Sequence, residues 1–158
     1  MHNIHISAPY HLEACRTFNE EVGEILSTYG FPVTLTQQAL PESLWKPEAD
    51  YSLDERKAVL DHYTKALKAT RVLLCIVYPG IADTLSTLGA GMALVQNVPI
   101  IGARNAFSVD PATLTDPLPA AIQNSPMLLG TFNKWFEAES NELDDLMNPL
   151  MSFVNLYY

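Results

Sequence analysis

Positive charge is scarce in this chain: nine Lys and Arg stand against 18 Asp and Glu, for a formal net charge of -9. The basic residues are scattered, with no run to serve as a footprint on a phosphate backbone, which argues against a nucleic-acid partner. Cysteine is scarcer still. Cys15 and Cys75 lie far apart and neither belongs to a C-x-x-C pair. Cys75 falls inside an apolar run and reads as a core residue. His2, His5, His11 and His62 show no metal-ligand spacing with Cys or acids, so neither a metal nor a cofactor is expected. No G-x-x-x-x-G-K-[ST] or G-x-G-x-x-G motif is present. The longest apolar stretches are interrupted by Pro-Gly or Asn and are too short for a bilayer. No signal peptide is visible, because "MHNIHISAPY" leads directly into a strand. These features predict a soluble protein of a reducing compartment, placed in the cytoplasm, with no membrane partner.

The chain does have aliphatic mass. Of 158 residues, 48% are hydrophobic and 17% charged, enough for one domain over residues 1–158 with its own core. "NIHISA" is a short strand ended by Pro9. Leu12, Cys15, Phe18, Val22, Ile25, Leu26 and Tyr29 then recur at helical spacing up to Gly30. "FPVTLTQ" reads as a half-buried strand, and residues 40–52, with two prolines, as a long loop of the kind that serves as a lid. Ser52 with Glu55 marks a helix start, and the helix should run from Leu53 to about Ala69. "RVLLCIV" has the composition of a central strand buried on both faces. Pro79-Gly80 turns into a helix opened by Asp83, and "VPIIGA" follows as a strand. After a Pro-rich connection, "MLLGTF" is a candidate last strand. An acidic helix is expected from about Asn133 to Met147, broken by Asn148-Pro149. This alternation predicts an α/β fold: a doubly wound, mostly parallel sheet in a flavodoxin-like or Rossmann-like three-layer sandwich.

In such sheets ligands sit beyond the carboxyl ends of the strands. Three segments qualify: Ser7 to His11, Tyr78 to Asp83, and Gly102 to Asn105. Asp83 can cap its helix, hold sugar hydroxyls, or do both. Along that helix Leu85, Leu88, Met92 and Val95 form the stripe expected to face the sheet. Thr87, Ala90, Gly91 and Leu94 lie opposite, without charge. A helix apolar on both sides is buried on both sides, so a subunit partner is the expected cover. Gly89 and Gly91 each weaken the helix, and either tight packing or a closely approaching ligand or neighbour would account for them.

"IHISAPYH" resembles the opening strand of the nucleoside 2-deoxyribosyltransferases, and "LGAGMALVQNVPIIG" resembles their segment of Leu-Gly followed by a Gly-Lys-Pro turn. The aromatic end Tyr157-Tyr158 also suits the compact members, in some of which it reaches a neighbouring subunit's site. The resemblance implies that Pro9 and Tyr10 wall the base and that Leu88 and Gly89 lie on the catalytic helix. It also places Thr87 where the family has its nucleophilic Glu. In the family a carboxylate attacks the anomeric carbon as the base leaves, as in retaining glycosidases. A Thr hydroxyl is neutral and needs a base. Asp83, one turn earlier on the same face, corresponds to the family's sugar-orienting Asp. Asp61 and His62 fall near another family Asp, though a solvated helix face explains them as well.

The expected function is therefore action on the N-glycosidic bond of a nucleoside or nucleotide, by deoxyribosyl transfer or hydrolysis. The alternative is a nucleotide-binding protein that kept the pocket and lost the nucleophile. Asp83 and Thr87 are the candidate catalytic residues. Ser7, Pro9, Tyr10, His11, Trp45, Asp61, Tyr78, Gly80 and Tyr158 are the candidate substrate-binding set. A homo-oligomer is expected, with residues 83–95 at the interface.

Overall fold

The computed structural model describes residues 3–78, 84–104, 131–137 and 143–157. Its strands are β1 (Asn3–Ser7), β2 (Val33–Leu35), β3 (Thr70–Val77), β4 (Ile100–Arg104) and β5 (Lys134–Glu137). They form one sheet in the order β2-β1-β3-β4-β5, and every pairing is parallel. Helices α1 (Glu13–Thr28) and α4 (Leu143–Tyr157) cover the face carrying Ile4, Ile6, Val72, Leu74 and Tyr78. Helices α2 (Leu53–Lys68) and α3 (Thr84–Val95) cover the face carrying Leu73, Cys75 and Ile100. The result is the three-layer, doubly wound architecture that the βα alternation predicts, with the flavodoxin-like strand order. After β1 the chain winds one way to β2 and the other way to β3, so a crevice opens where β1 and β3 end.

Local chemistry sets the element ends. Ser52 and Glu55 form a reciprocal capping box on α2, and Lys46 holds the other Glu55 oxygen at 2.9 Å. The Lys46 bond, reinforced by Ser52, lowers the Glu55 pKa to about 2. At the end of α1, Gly30 takes φ 88, its amide donates to the Ser27 carbonyl, and Phe31 donates to Leu26. Asn97, at φ 56, ends α3 in the same way, with Asn97 donating to Leu94 and Val98 to Ala93.

Three expectations need correction. The buried face of α3 carries Leu85, Ser86, Gly89, Ala90 and Ala93, whereas Leu88, Leu94 and Val95 are exposed by 43%, 57% and 83%. Ala90 therefore faces inward, and Leu88 and Val95 face outward. The reason is Tyr63 of α2, which occupies the space where a Gly89 Cβ would stand, with the hydroxyl 2.0 Å from it. Only the small-residue side of the helix fits there. Gly91 meets nothing within 4 Å. Second, Lys134–Glu137 is a strand and not the start of the acidic helix. Asn133 clamps Ile100 from both sides, donating its amide to the Ile100 carbonyl at 2.8 Å and accepting the Ile100 amide at 2.7 Å. Phe132 and Trp135 stack, centroids 5.3 Å apart, over Gly102, whose Cβ would lie within 2.6 Å of both rings. Of the expected strand "MLLGTF", Thr131 and Phe132 precede β5, and 127–130 lie outside the described residues. Third, α4 runs through Pro149 instead of stopping at Asn148. Leu146, Met147, Leu150 and Val154 bury a continuous stripe on the core, which outweighs one lost helical hydrogen bond.

Residues 40–52 are not featureless: short 3-10 turns at Glu42–Leu44 and Glu48–Asp50 carry them, and Leu40, Leu44 and Tyr51 are buried. Cys15 is buried on the inner face of α1 and Cys75, in β3, under α2 and α3, on opposite faces of the sheet, and neither forms a disulfide.

His5 is fully buried between β1 and β2, and its proton can be assigned. Thr36 gives its one hydroxyl hydrogen to the Ile6 carbonyl, so at its 3.2 Å contact His5 Nε2 is the donor. Nδ1 then accepts from the Thr34 hydroxyl at 2.9 Å, and that hydroxyl in turn accepts from Asn3 at 2.8 Å. Burial lowers the His5 pKa from 6.5 to about 4.

Two measurements check this account. Gly89→Ala adds helix propensity, about 1 kcal/mol in isolation. It should nevertheless destabilise the protein by about 2 kcal/mol, because the methyl group meets the Tyr63 ring. An unchanged or raised urea midpoint would contradict the packing. For His5, the unfolded ring takes up a proton below 6.5 and the folded ring only near 4, so stability falls as pH drops through that window. Between pH 7 and pH 4.5, wild type should lose on the order of 2 kcal/mol more than His5→Gln. Parallel losses in the two proteins would exclude a neutral buried His5.

Candidate functional site

The crevice is built up from the end of β1. Ser7, the last residue of that strand, points its buried hydroxyl toward α2 and α3. Its Oγ lies 2.6 Å from the Tyr63 hydroxyl and 2.7 Å from Ser86 Oγ. Strand, helix and helix are thus joined by three hydroxyls, and separating them breaks two buried hydrogen bonds.

Beyond Ser7 the loop is held by its carbonyls. Asn19 Nδ2 donates to the Pro9 carbonyl at 3.0 Å, and Arg16 donates to the Tyr10 carbonyl at 2.8 Å. Asn19 is fixed in turn by the Tyr78 hydroxyl, which donates to its Oδ1 at 2.8 Å. Tyr10 then turns its ring toward α2, where its hydroxyl lies 2.8 Å from that of Tyr51. Tyr51 gives its own hydrogen to the Leu44 carbonyl, so Tyr10 is the donor of the pair.

A cleft of about 250 Å³ opens at this point. Tyr10 and Tyr51 form one wall, and Val59, Leu60, Leu85 and Leu88 supply aliphatic surface. Thr84, the first residue of α3, and Arg56 complete the lining with polar groups. Aromatic and aliphatic walls with a few polar groups suit a flat heterocycle carrying a polar substituent. Thr84 also places the first turn of α3 beside the cleft.

Of the residues singled out from the sequence, Tyr10 lines the cleft and Ser7 lies in the hydroxyl junction with α2 and α3. Pro9 is buried, its carbonyl engaged by Asn19. Thr87 is exposed on α3, next to the buried Ser86. His11 is half-buried, and burial first, then the Arg16 charge, lowers its pKa. Asp61 is exposed on α2 and paired with Lys65 at 2.6 Å, a hydrogen bond that lowers its pKa. Tyr78 packs on the opposite face of the sheet, with α1. Trp45 donates to the Gln37 carbonyl at 3.2 Å and has Arg16 over its ring at 4.9 Å, and it is not among the lining residues. Gly80, Asp83 and Tyr158 lie outside the described residues.

Sequence reasoning missed Tyr51, Arg56, Tyr63 and Ser86. Tyr51 stands directly before the capping Ser52, and Arg56 lies one turn into α2. Each was adjacent to a signal that was legible and carried none of its own. No carboxylate is among the described lining residues. Among the described residues, no group of three or more His, Cys, Asp or Glu is placed to hold a metal ion. No helix among them is long and apolar enough to cross a membrane.

No protein-family model and no curated protein matches the sequence. Solved structures do match in fold. A conserved protein from Enterococcus faecalis V583 superposes with a TM-score of 0.61 at 15% identity, over 94% of this chain and 99% of its own. A 2-deoxyribosyltransferase from Bacillus psychrosaccharolyticus superposes with a TM-score of 0.53 at 17% identity, over 73% of this chain and 82% of its own. At such identities the likeness is one of architecture: this chain shares its α/β fold with a 2-deoxyribosyltransferase.

Proposed function

We propose that the cleft binds a nucleoside or nucleotide and that the chain acts on its N-glycosidic bond, by deoxyribosyl transfer or hydrolysis. One observation carries this reading. A slot walled by two tyrosine rings and aliphatic side chains lies between the β1 loop and the start of α3, in a fold shared with a 2-deoxyribosyltransferase. Tyr10, with Pro9 behind it, would pack the base, and Ser7 and His11 belong to the same loop. Asp83 directly precedes Thr84 in the chain. In this proposal its carboxylate faces the sugar as the C1′–N bond breaks and the base leaves with the electron pair. The carboxylate stabilises the cationic sugar or takes a proton from the water, or from the N–H of the acceptor base, that adds at C1′, and that proton balances the one taken up by the departing base. Thr87 supplies a hydroxyl on the same helix face, and Trp45, Asp61, Gly80 and Tyr158 complete the assigned set, whereas Tyr78 would serve it from the far side of the sheet through Asn19, which holds the Pro9 carbonyl.

A second reading, a non-catalytic nucleotide-binding protein, draws on one specific observation: Thr87 stands where the resembling family has its nucleophilic Glu, and none of the described lining residues is an acid. Incubation with a panel of nucleosides and nucleotides, with chromatography for free base, separates the two. Base release is expected. In Asp83→Asn, turnover should fall by about 100-fold or more, a loss typical of removing one preorganised charge or donor. The urea midpoint should move little, because Asn keeps most of the capping capacity of Asp. Wild type that binds a nucleotide tightly and releases no base over a long incubation would favour the binding protein instead.

We also infer a homo-oligomer through α3. The support is its outward face, where Leu88, Leu94 and Val95 are exposed together beside Gly91. Light scattering should show more than one copy per particle, and Leu94→Glu should reduce it to a monomer of unchanged helicity. A wild-type monomer at micromolar concentration would dispose of this interface.

A further inference from the structure

We infer that the cleft selects a nucleoside carrying an anionic 5′-phosphate over the neutral nucleoside, and that Arg56 is the residue that makes the selection. This rests on the nucleoside reading above and narrows it. Arg56 is the one charged side chain among the described lining residues. Its Nε donates to the Tyr51 carbonyl at 3.1 Å, which fixes the guanidinium at the edge of the tyrosine wall. That bond uses one of the five N–H groups of the guanidinium.

The neighbouring cations are already neutralised. Lys46 pairs with Glu55 at 2.9 Å, Lys57 with Asp54 at 3.8 Å, and Lys65 with Asp61 at 2.6 Å. Arg56 has no carboxylate within 4 Å among the described residues. This happens in a chain with 18 acids and nine bases, where a pairing partner is easy to supply. A guanidinium oriented on a cleft wall, with no carboxylate partner among the described residues, is matched to a phosphate, which accepts two parallel N–H bonds from it.

The dimensions agree. The buried part of the cleft is formed by Tyr10, Tyr51, Val59 and Leu85, whereas Arg56 is exposed, as are Leu60 and Leu88. A base seated between the tyrosine and aliphatic walls leaves its phosphate at the rim, still partly hydrated, so the charge does not have to be fully desolvated. Thr84, the first residue of α3, lies on the same cleft, so the positive end of that helix dipole stands beside the anion.

Calorimetric titration of the full chain tests the inference, with a 2′-deoxynucleoside and its 5′-monophosphate at matched ionic strength. Wild type, Arg56→Gln and Arg56→Lys are compared, each first shown to be folded by its urea midpoint. Wild type should bind the monophosphate about tenfold or more tightly than the nucleoside. Arg56→Gln should abolish that ratio, and Arg56→Lys, which keeps the charge without the fork, should retain part of it. Equal affinities in wild type, or a ratio that survives in Arg56→Gln, would overturn the role of Arg56 and leave the nucleoside reading standing. Failure of both compounds to bind wild type would overturn the two together.

Discussion

Three hydroxyl groups hold the functional end of this molecule together. Ser7 Oγ, at the end of β1, lies 2.6 Å from the Tyr63 hydroxyl on α2 and 2.7 Å from Ser86 Oγ on α3, all three buried. Ser7 is the shared partner of the other two, and a buried hydrogen bond that is broken without replacement leaves a desolvation penalty behind. Much else follows from this contact. It sets the rotation of α3, it makes Gly89 necessary because the Tyr63 ring stands against the helix backbone, and it turns Leu88 outward to the edge of the cleft. The position of the cleft is thus a by-product of how the two helices dock.

The walls around that junction show a second regularity. Loop carbonyls that would otherwise be left to water are taken by side chains: Pro9 by Asn19, Tyr10 by Arg16, Tyr51 by Arg56, and Leu44 by Tyr51. Irregular backbone next to a binding surface is usually its least certain part. Tying each carbonyl to a side chain on a helix or a neighbouring loop gives that surface a defined shape before any ligand arrives, which lowers the ordering cost of binding.

Much of the architecture was legible from residue patterns. The apolar run before Tyr78, the Ser52 and Glu55 cap and the stop at Gly30 each rest on short-range chemistry, and the structure has them where the sequence puts them. The errors share a different cause. The phase of α3 was unreadable because its residues are apolar or small all round, so no polar side marked the outside, and only the Tyr63 ring from another helix decided it. The strand at Lys134–Glu137 depends on Asn133 clamping Ile100, a pairing over more than thirty residues of chain. Helix α4 passes Pro149 because of the core beneath it. The β1 half of the candidate site was visible in "SAPYH". Tyr51 and Arg56 became visible only when α2 docked, since neither belongs to a motif.

The two thiols sit in separate rooms of the same house. Cys15 sits on the inner face of α1, Cys75 beneath α2 and α3, with the sheet between them and neither side chain open to solvent. No rearrangement short of unfolding brings their sulfurs within bonding distance. A thiol reagent therefore reads the two layers independently. Its rate at Cys75 reports how often the cleft-bearing helices lift from the sheet, and its rate at Cys15 how often the opposite layer does. The chain carries its own pair of opening gauges, one behind the cleft and one remote from it.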